Sequence, residues 1–122
     1  MTITSSTSDD PIVDGEAIIP LNTNPRYAFK ISLESNAYKF HIHWNVIAAA
    51  WYLHIEGISN TVNYRGIKLV TGVNLLKPYA IRELGALYMI DGDEEGLDPD
   101  RYNIGSRYFM YYVPTTNPDY IV

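Results

Sequence analysis

Residues 38–56, YKFHIHWNVIAAAWYLHIE, restrict the fold more than any other stretch. Tyr38, Phe40, Ile42 and Trp44 alternate with Lys39, His41 and His43. Beyond residues 45–50, Trp51, Leu53 and Ile55 alternate with Tyr52, His54 and Glu56. Successive side chains of a strand point to opposite faces, so the pattern predicts a β-hairpin with one apolar and one polar, histidine-bearing face. Placing Trp44 opposite Trp51 sets Ile42 against Leu53, Phe40 against Ile55 and His41 against His54. A slip of one residue would turn the apolar face to water, so the register is strongly specified.

The rest of the chain fits around that hairpin. Residues 1–15 are rich in Ser, Thr and Asp and read as a flexible arm that orders on a partner. Residues 16–21 form a short apolar run stopped by Pro20, suited to an edge strand. A turn signal follows at residues 22–25 (NTNP). Tyr27, Phe29, Ile31 and Leu33 then alternate with Ala28, Lys30 and Ser32, which predicts a strand over residues 26–33. Residues 34–37 make a short turn into the central hairpin.

After that hairpin, a loop leads to a ragged strand at residues 61–64. Arg65 and Gly66 interrupt it, and a further strand follows at residues 67–71. Residues 72–79 are read as a short helical turn ended before Pro78, or as a buried connection. Strands are expected again at residues 84–90 and 104–113. Between them lies the acidic stretch DGDEEGLDPD, which holds six of the fourteen acidic residues and reads as a loop. Residues 114–122, PTTNPDYIV, form an extended tail. The expectation is an all-β domain over residues 16–113: a compact sandwich or small barrel of about six or seven antiparallel strands. No internal repeat is present.

With 122 residues the chain holds one domain and a modest core. Tyr supplies 11 aromatic residues against three Phe and two Trp. It suits half-buried sheet faces and interfaces, offering apolar area with a hydroxyl. A net charge of −5 without a basic block argues against nucleic acid. The absence of cysteine removes disulfides, thiolate metal sites and a Cys nucleophile. The N-terminal residues lack the basic and apolar regions of a signal peptide, and no apolar run approaches the roughly 20 residues of a membrane helix.

His41, His43 and His54 are the chain's only histidines, and all fall on one predicted face. Three imidazoles so placed are candidate ligands for Zn or Fe and would make a metal-dependent enzyme conceivable. No carboxylate is placed to orient them, so a polar or interfacial sheet face is preferred; a pH-sensitive patch is a third reading. In the acidic loop, Asp91, Asp93, Glu95 and Gly96 match the first positions of an EF-hand loop. Tyr102 stands where the twelfth-position Glu belongs, and no helices flank the loop. An irregular calcium site using Asp91, Asp93 and Asp98 is the remaining metal reading, against a solvated loop held extended by self-repulsion. No nucleophile elbow, phosphate loop or dinucleotide fingerprint occurs, and paired carboxylates exist only in this loop. The preferred reading has no catalytic residues, no metal and no cofactor.

Taken together, several segments carry a resemblance. AIIPL, NPRYAFKISL, YKFHIHWN answered by WYLHIEG, GIKLVTGVNLL, the acidic loop and IGSRYFMYYV follow one another in an order that resembles the small phage baseplate plug family of contractile tails. The resemblance spans residues 18–113. It implies a structural, non-enzymatic virion protein, made in the bacterial host cytoplasm and built into the tail baseplate. The partners it implies are hub, tube-end or spike proteins, with homo-oligomers of three-fold or six-fold symmetry. The residues expected to meet partners are Tyr52, His41, His43, His54, Asp91, Asp93, Asp98, Tyr111, Tyr112 and Tyr120. The alternative is a stand-alone carbohydrate- or peptide-binding β-module using the Tyr-bearing face.

Overall fold

The computed structural model describes residues 12–13, 17–79 and 84–114. Its strands are β1 (Ile12–Val13), β2 (Ala17–Ile19), β3 (Arg26–Leu33), β4 (Asn36–Asn45), β5 (Ala50–Gly57), β6 (Asn63–Lys68), β7 (Ala86–Asp91) and β8 (Tyr108–Val113). They form a larger sheet in the order β1-β3-β4-β5-β6 and a smaller one in the order β2-β8-β7. The two-residue β1 runs parallel to β3, and the other pairings are antiparallel. The chain is therefore an all-β single domain, and helix among the described residues is confined to a 3-10 turn at Lys77–Tyr79.

The alternation read in the sequence is what makes the core. Ile31 and Leu33 of β3, Tyr38, Phe40 and Ile42 of β4, and Trp51, Leu53 and Ile55 of β5 are all buried. They join Ile19, Leu87, Met89, Tyr108, Met110 and Tyr112 of the smaller sheet in one hydrophobic cluster. The two sheets thus face each other as a sandwich, each hiding one side. The central register is as expected: Trp44 opposite Trp51, Ile42 opposite Leu53, Phe40 opposite Ile55 and His41 opposite His54. Trp44 meets Trp51 edge-on at 5.5 Å between ring centroids, but only Trp51 is fully buried.

Two turns shape the larger sheet. Between β3 and β4 only Glu34 and Ser35 intervene, with φ of 50° and 69°. A two-residue hairpin turn with both central residues left-handed matches the twist of the strands but normally recruits Asn or Gly. Here Glu34 is held from the other sheet, because the Tyr112 hydroxyl of β8 donates a hydrogen bond to its carboxylate. The same hydroxyl accepts the Gly85 N–H at 2.9 Å. The β4–β5 connection is apolar and projects outward: Val46 is 81% and Ile47 99% exposed.

Four expectations are corrected. The segments either side of Arg65-Gly66 are one strand, β6; the pair forms a bulge opposite His54, and Gly66 at φ 71° supplies the left-handed residue. The last strand begins at Tyr108, since residues 103–107 turn tightly, with the Arg107 N–H bonded to the Asn103 carbonyl and Gly105 at φ 88°. Pro78 lies inside the short helical turn rather than ending it. Ile12 and Val13, expected in the flexible arm, pair with Ser32 and Leu33. The remainder of the arm and residues 115–122 lie outside the described residues.

Candidate functional site

The outward face of the larger sheet can be read row by row from the register. Arg26, His43, Tyr52 and Lys68 lie side by side across β3, β4, β5 and β6. The next row is Ala28, His41 and His54, ending at the β6 bulge. The third row is Lys30, Lys39, Glu56 and Asn63. All of these side chains are half-buried or exposed.

The three histidines share this face but do not converge. His41 and His54 stack with ring centroids 4.7 Å apart and planes 15° from parallel. His41 donates Nε2–H to Glu56 Oε1 at 3.1 Å, and His54 donates Nε2–H to Asn63 Oδ1 at 2.7 Å. His43 instead stacks on Tyr52 at 5.8 Å. Its pKa is lowered, first because partial burial penalises the cation and second because Arg26 lies beside it. The Glu56 carboxyl is lowered chiefly by the hydrogen bond from His41. Among the described residues no group of three or more His, Asp or Glu side chains is placed to hold one metal ion.

The acidic loop is organised from inside. Asp91, at the end of β7, has a side chain only 3% exposed. It accepts a two-pronged contact from Arg107, Nε to Oδ1 at 2.8 Å and Nη2 to Oδ2 at 3.1 Å. It also accepts the backbone N–H groups of Asp93 and Glu95 at 2.9 and 3.0 Å. Arg107 reaches the Asp93 and Glu95 carboxylates as well, at 3.2 and 3.3 Å. The Arg107 guanidinium thereby holds the Asp91 carboxyl well below the usual carboxylate range. Asp98 accepts the Thr71 N–H at 3.1 Å. The loop is a folded structure with its own counter-ion, not a self-repelling extended segment, and Asp91, Asp93 and Asp98 do not form a joint ligand set.

The outward face of the smaller sheet has different chemistry. Ile18, Tyr111 and Tyr88 form one row, and Phe109 and Ile90 form the next. No charged residue stands among these five. Ile18 is 45% and Ile90 43% exposed. An open groove of about 590 Å³ runs along this side, lined by Tyr88, Ile90, Tyr111, Gly72 and the rim of the acidic loop.

Of the residues expected to meet partners, Tyr52, His41, His43 and His54 share the polar face, and Tyr111 lies on the apolar one. Asp93 and Asp98 are exposed in the loop. Tyr112 and Asp91 require correction: both are buried and hydrogen-bonded within the domain, so neither offers a surface. Inward orientation of Tyr112 follows from the strand alternation that turns Tyr111 outward. Tyr120 lies outside the described residues. Sequence reasoning missed Arg26, Lys30, Lys39 and Lys68 on the polar face and Ile18, Tyr88, Ile90 and Phe109 on the apolar one. The alternation that located the histidines also carried Arg26, Lys30 and Lys39.

Compared with known families, the chain matches over residues 16–116 the model described as cyanophage baseplate Pam3 plug gp18. No curated protein sequence matches it.

Proposed function

The chain belongs to the cyanophage baseplate Pam3 plug gp18 family and so has a structural role in a phage baseplate; from that premise we propose that it binds neighbouring tail proteins as the baseplate assembles. The observation that carries this reading is the outward face of the smaller sheet. Ile18, Tyr88, Ile90, Phe109 and Tyr111 leave it apolar, although its inward face already fills the core. Ile18 and Ile90 are exposed on it, apolar patches on a soluble protein mark interaction sites, and Tyr and Phe are favoured anchors at interfaces. We assign this face to contact between copies of the chain, in a ring of three-fold or six-fold symmetry on a contractile tail. The polar face and the loop remain for hub, tube-end or spike proteins. No catalytic step enters this role.

Quantitative mass spectrometry of purified virions tests the reading. The expected result is a low, fixed copy number at a multiple of three beside hub and spike proteins. Absence from virions, with the protein abundant in infected cells, would overturn it.

A further inference from the structure

The polar face of the larger sheet gathers Arg26, Lys30, Lys39 and Lys68, four of the nine Lys and Arg residues of a chain whose net charge is −5. Glu56 is the only carboxylate in its three rows. No close ion pair joins any of the four to a described residue, though Lys39 stands opposite Glu56. Lys30 and Lys39 stand directly opposite each other, and like charges so placed destabilise a sheet. Arg26 faces His43, whose pKa is lowered first by partial burial and then by that charge. An incoming carboxylate would relieve the repulsion between Lys30 and Lys39.

The four cations sit at the margins of the face: Arg26 and Lys68 at the ends of one row, Lys30 and Lys39 in the other. Arg26 and Lys30 are four residues apart on one strand, roughly 13 Å. The stacked pair His43–Tyr52 lies within the first row, between Arg26 and Lys68, and the stacked pair His41–His54 lies between the two rows. We propose that this face docks an acidic, carboxylate-bearing surface of a different baseplate protein, with Lys30, Lys39, Lys68 and Arg26 as the contacting charges. The proposal rests on the baseplate reading above and specifies the chemistry of one partner.

Two alternatives are disfavoured by the structure. A second copy would have to offer its acidic loop, where Asp91 is buried and the one guanidinium of Arg107 partly offsets Asp93 and Glu95. Nucleic acid would meet only four cations beside Glu56 on an otherwise acidic protein, where binding to a duplex needs a denser basic footprint. A positive island on a negative molecule repels an acidic partner elsewhere and admits it in one orientation.

Zero-length carbodiimide coupling of purified virions, followed by mapping of lysine–carboxylate cross-links, tests this. The expected products join Lys30, Lys39 or Lys68 to Asp or Glu of another baseplate protein. In a complementation assay, the double variant Lys30→Glu/Lys39→Glu should fold with unchanged circular dichroism yet enter virions at least about tenfold less than the control Lys77→Glu. Virions that contain the chain but give no such cross-link overturn the inference and leave the baseplate role intact. So do cross-links confined to a second copy or to Asp9 and Asp10 of the same chain. Binding of a labelled DNA duplex that the double variant abolishes would also overturn it. Absence of the chain from virions overturns both readings.

Discussion

Tyr112 joins the two sheets with a single oxygen. Its hydroxyl donates to Glu34 at the β3–β4 turn and accepts the Gly85 N–H. Burial, followed by the Glu34 contact, pushes its pKa well up, so the phenol keeps the proton it donates. Tyr112→Phe preserves the ring and leaves a buried N–H and a carboxylate oxygen without this partner. A loss of about 1–3 kcal/mol is expected, read as a lower urea midpoint at unchanged slope. Asp91 makes a different prediction. Its folded pKa lies below the unfolded value, so the folded state binds fewer protons in acid. The Asp91–Arg107 contribution is therefore fully present above about pH 4 and is lost as pH falls through the lower folded value. Acid unfolding followed by tryptophan fluorescence should show this dependence, and Asp91→Asn should flatten it below about pH 4. A variant as acid-sensitive as the parent would remove Asp91 from the account.

Among the elements, the β3–β4 turn departs furthest from its usual chemistry. Ser35 has φ 69°, where an L side chain costs roughly 1 kcal/mol and glycine costs little. Ser35→Gly should raise stability by up to about 1 kcal/mol in thermal unfolding; a loss would mean that the serine side chain supports the turn. Within the central hairpin, Trp51 fills the core and also donates Nε1–H to the Asp100 carbonyl at 2.8 Å. Trp51→Ala should cost about 3–5 kcal/mol and free the far end of the acidic loop, seen as faster amide exchange there. The hairpin and β3 were legible because period-two alternation is local. The β6 bulge was not, since Arg65-Gly66 breaks the period while pairing continues across it. The clamp on the acidic loop was not legible either, because Arg107 reaches Asp91 across 16 residues and no local pattern marks such a pair.

Across the whole molecule, the two outward faces differ in chemistry while the core between them is closed. The polar face was half visible in the sequence, because its histidines drew notice and its lysines did not. The apolar face was less visible, because Tyr88 and Ile90 alternate with equally apolar Leu87 and Met89, which leaves no polar side to read. This contrast makes Ile90→Asp a test of the smaller sheet. The side chain is exposed, so the melting temperature should stay within a few degrees, while self-association measured by light scattering should be lost. An assembly state unaffected by the aspartate would place contact between copies elsewhere.

The pairing of β2 with β8 sets the order in which the domain can close. β3, β4 and β5 each pair with the next strand along the chain, so the meander from β3 to β6 can form while the polypeptide is still emerging from the ribosome. β2 emerges before that meander but must wait for β8, whose Met110 lies opposite Ile19. A premature stop before Tyr108 would leave a nascent chain whose larger sheet shows its apolar side to water, a substrate for chaperones and proteases.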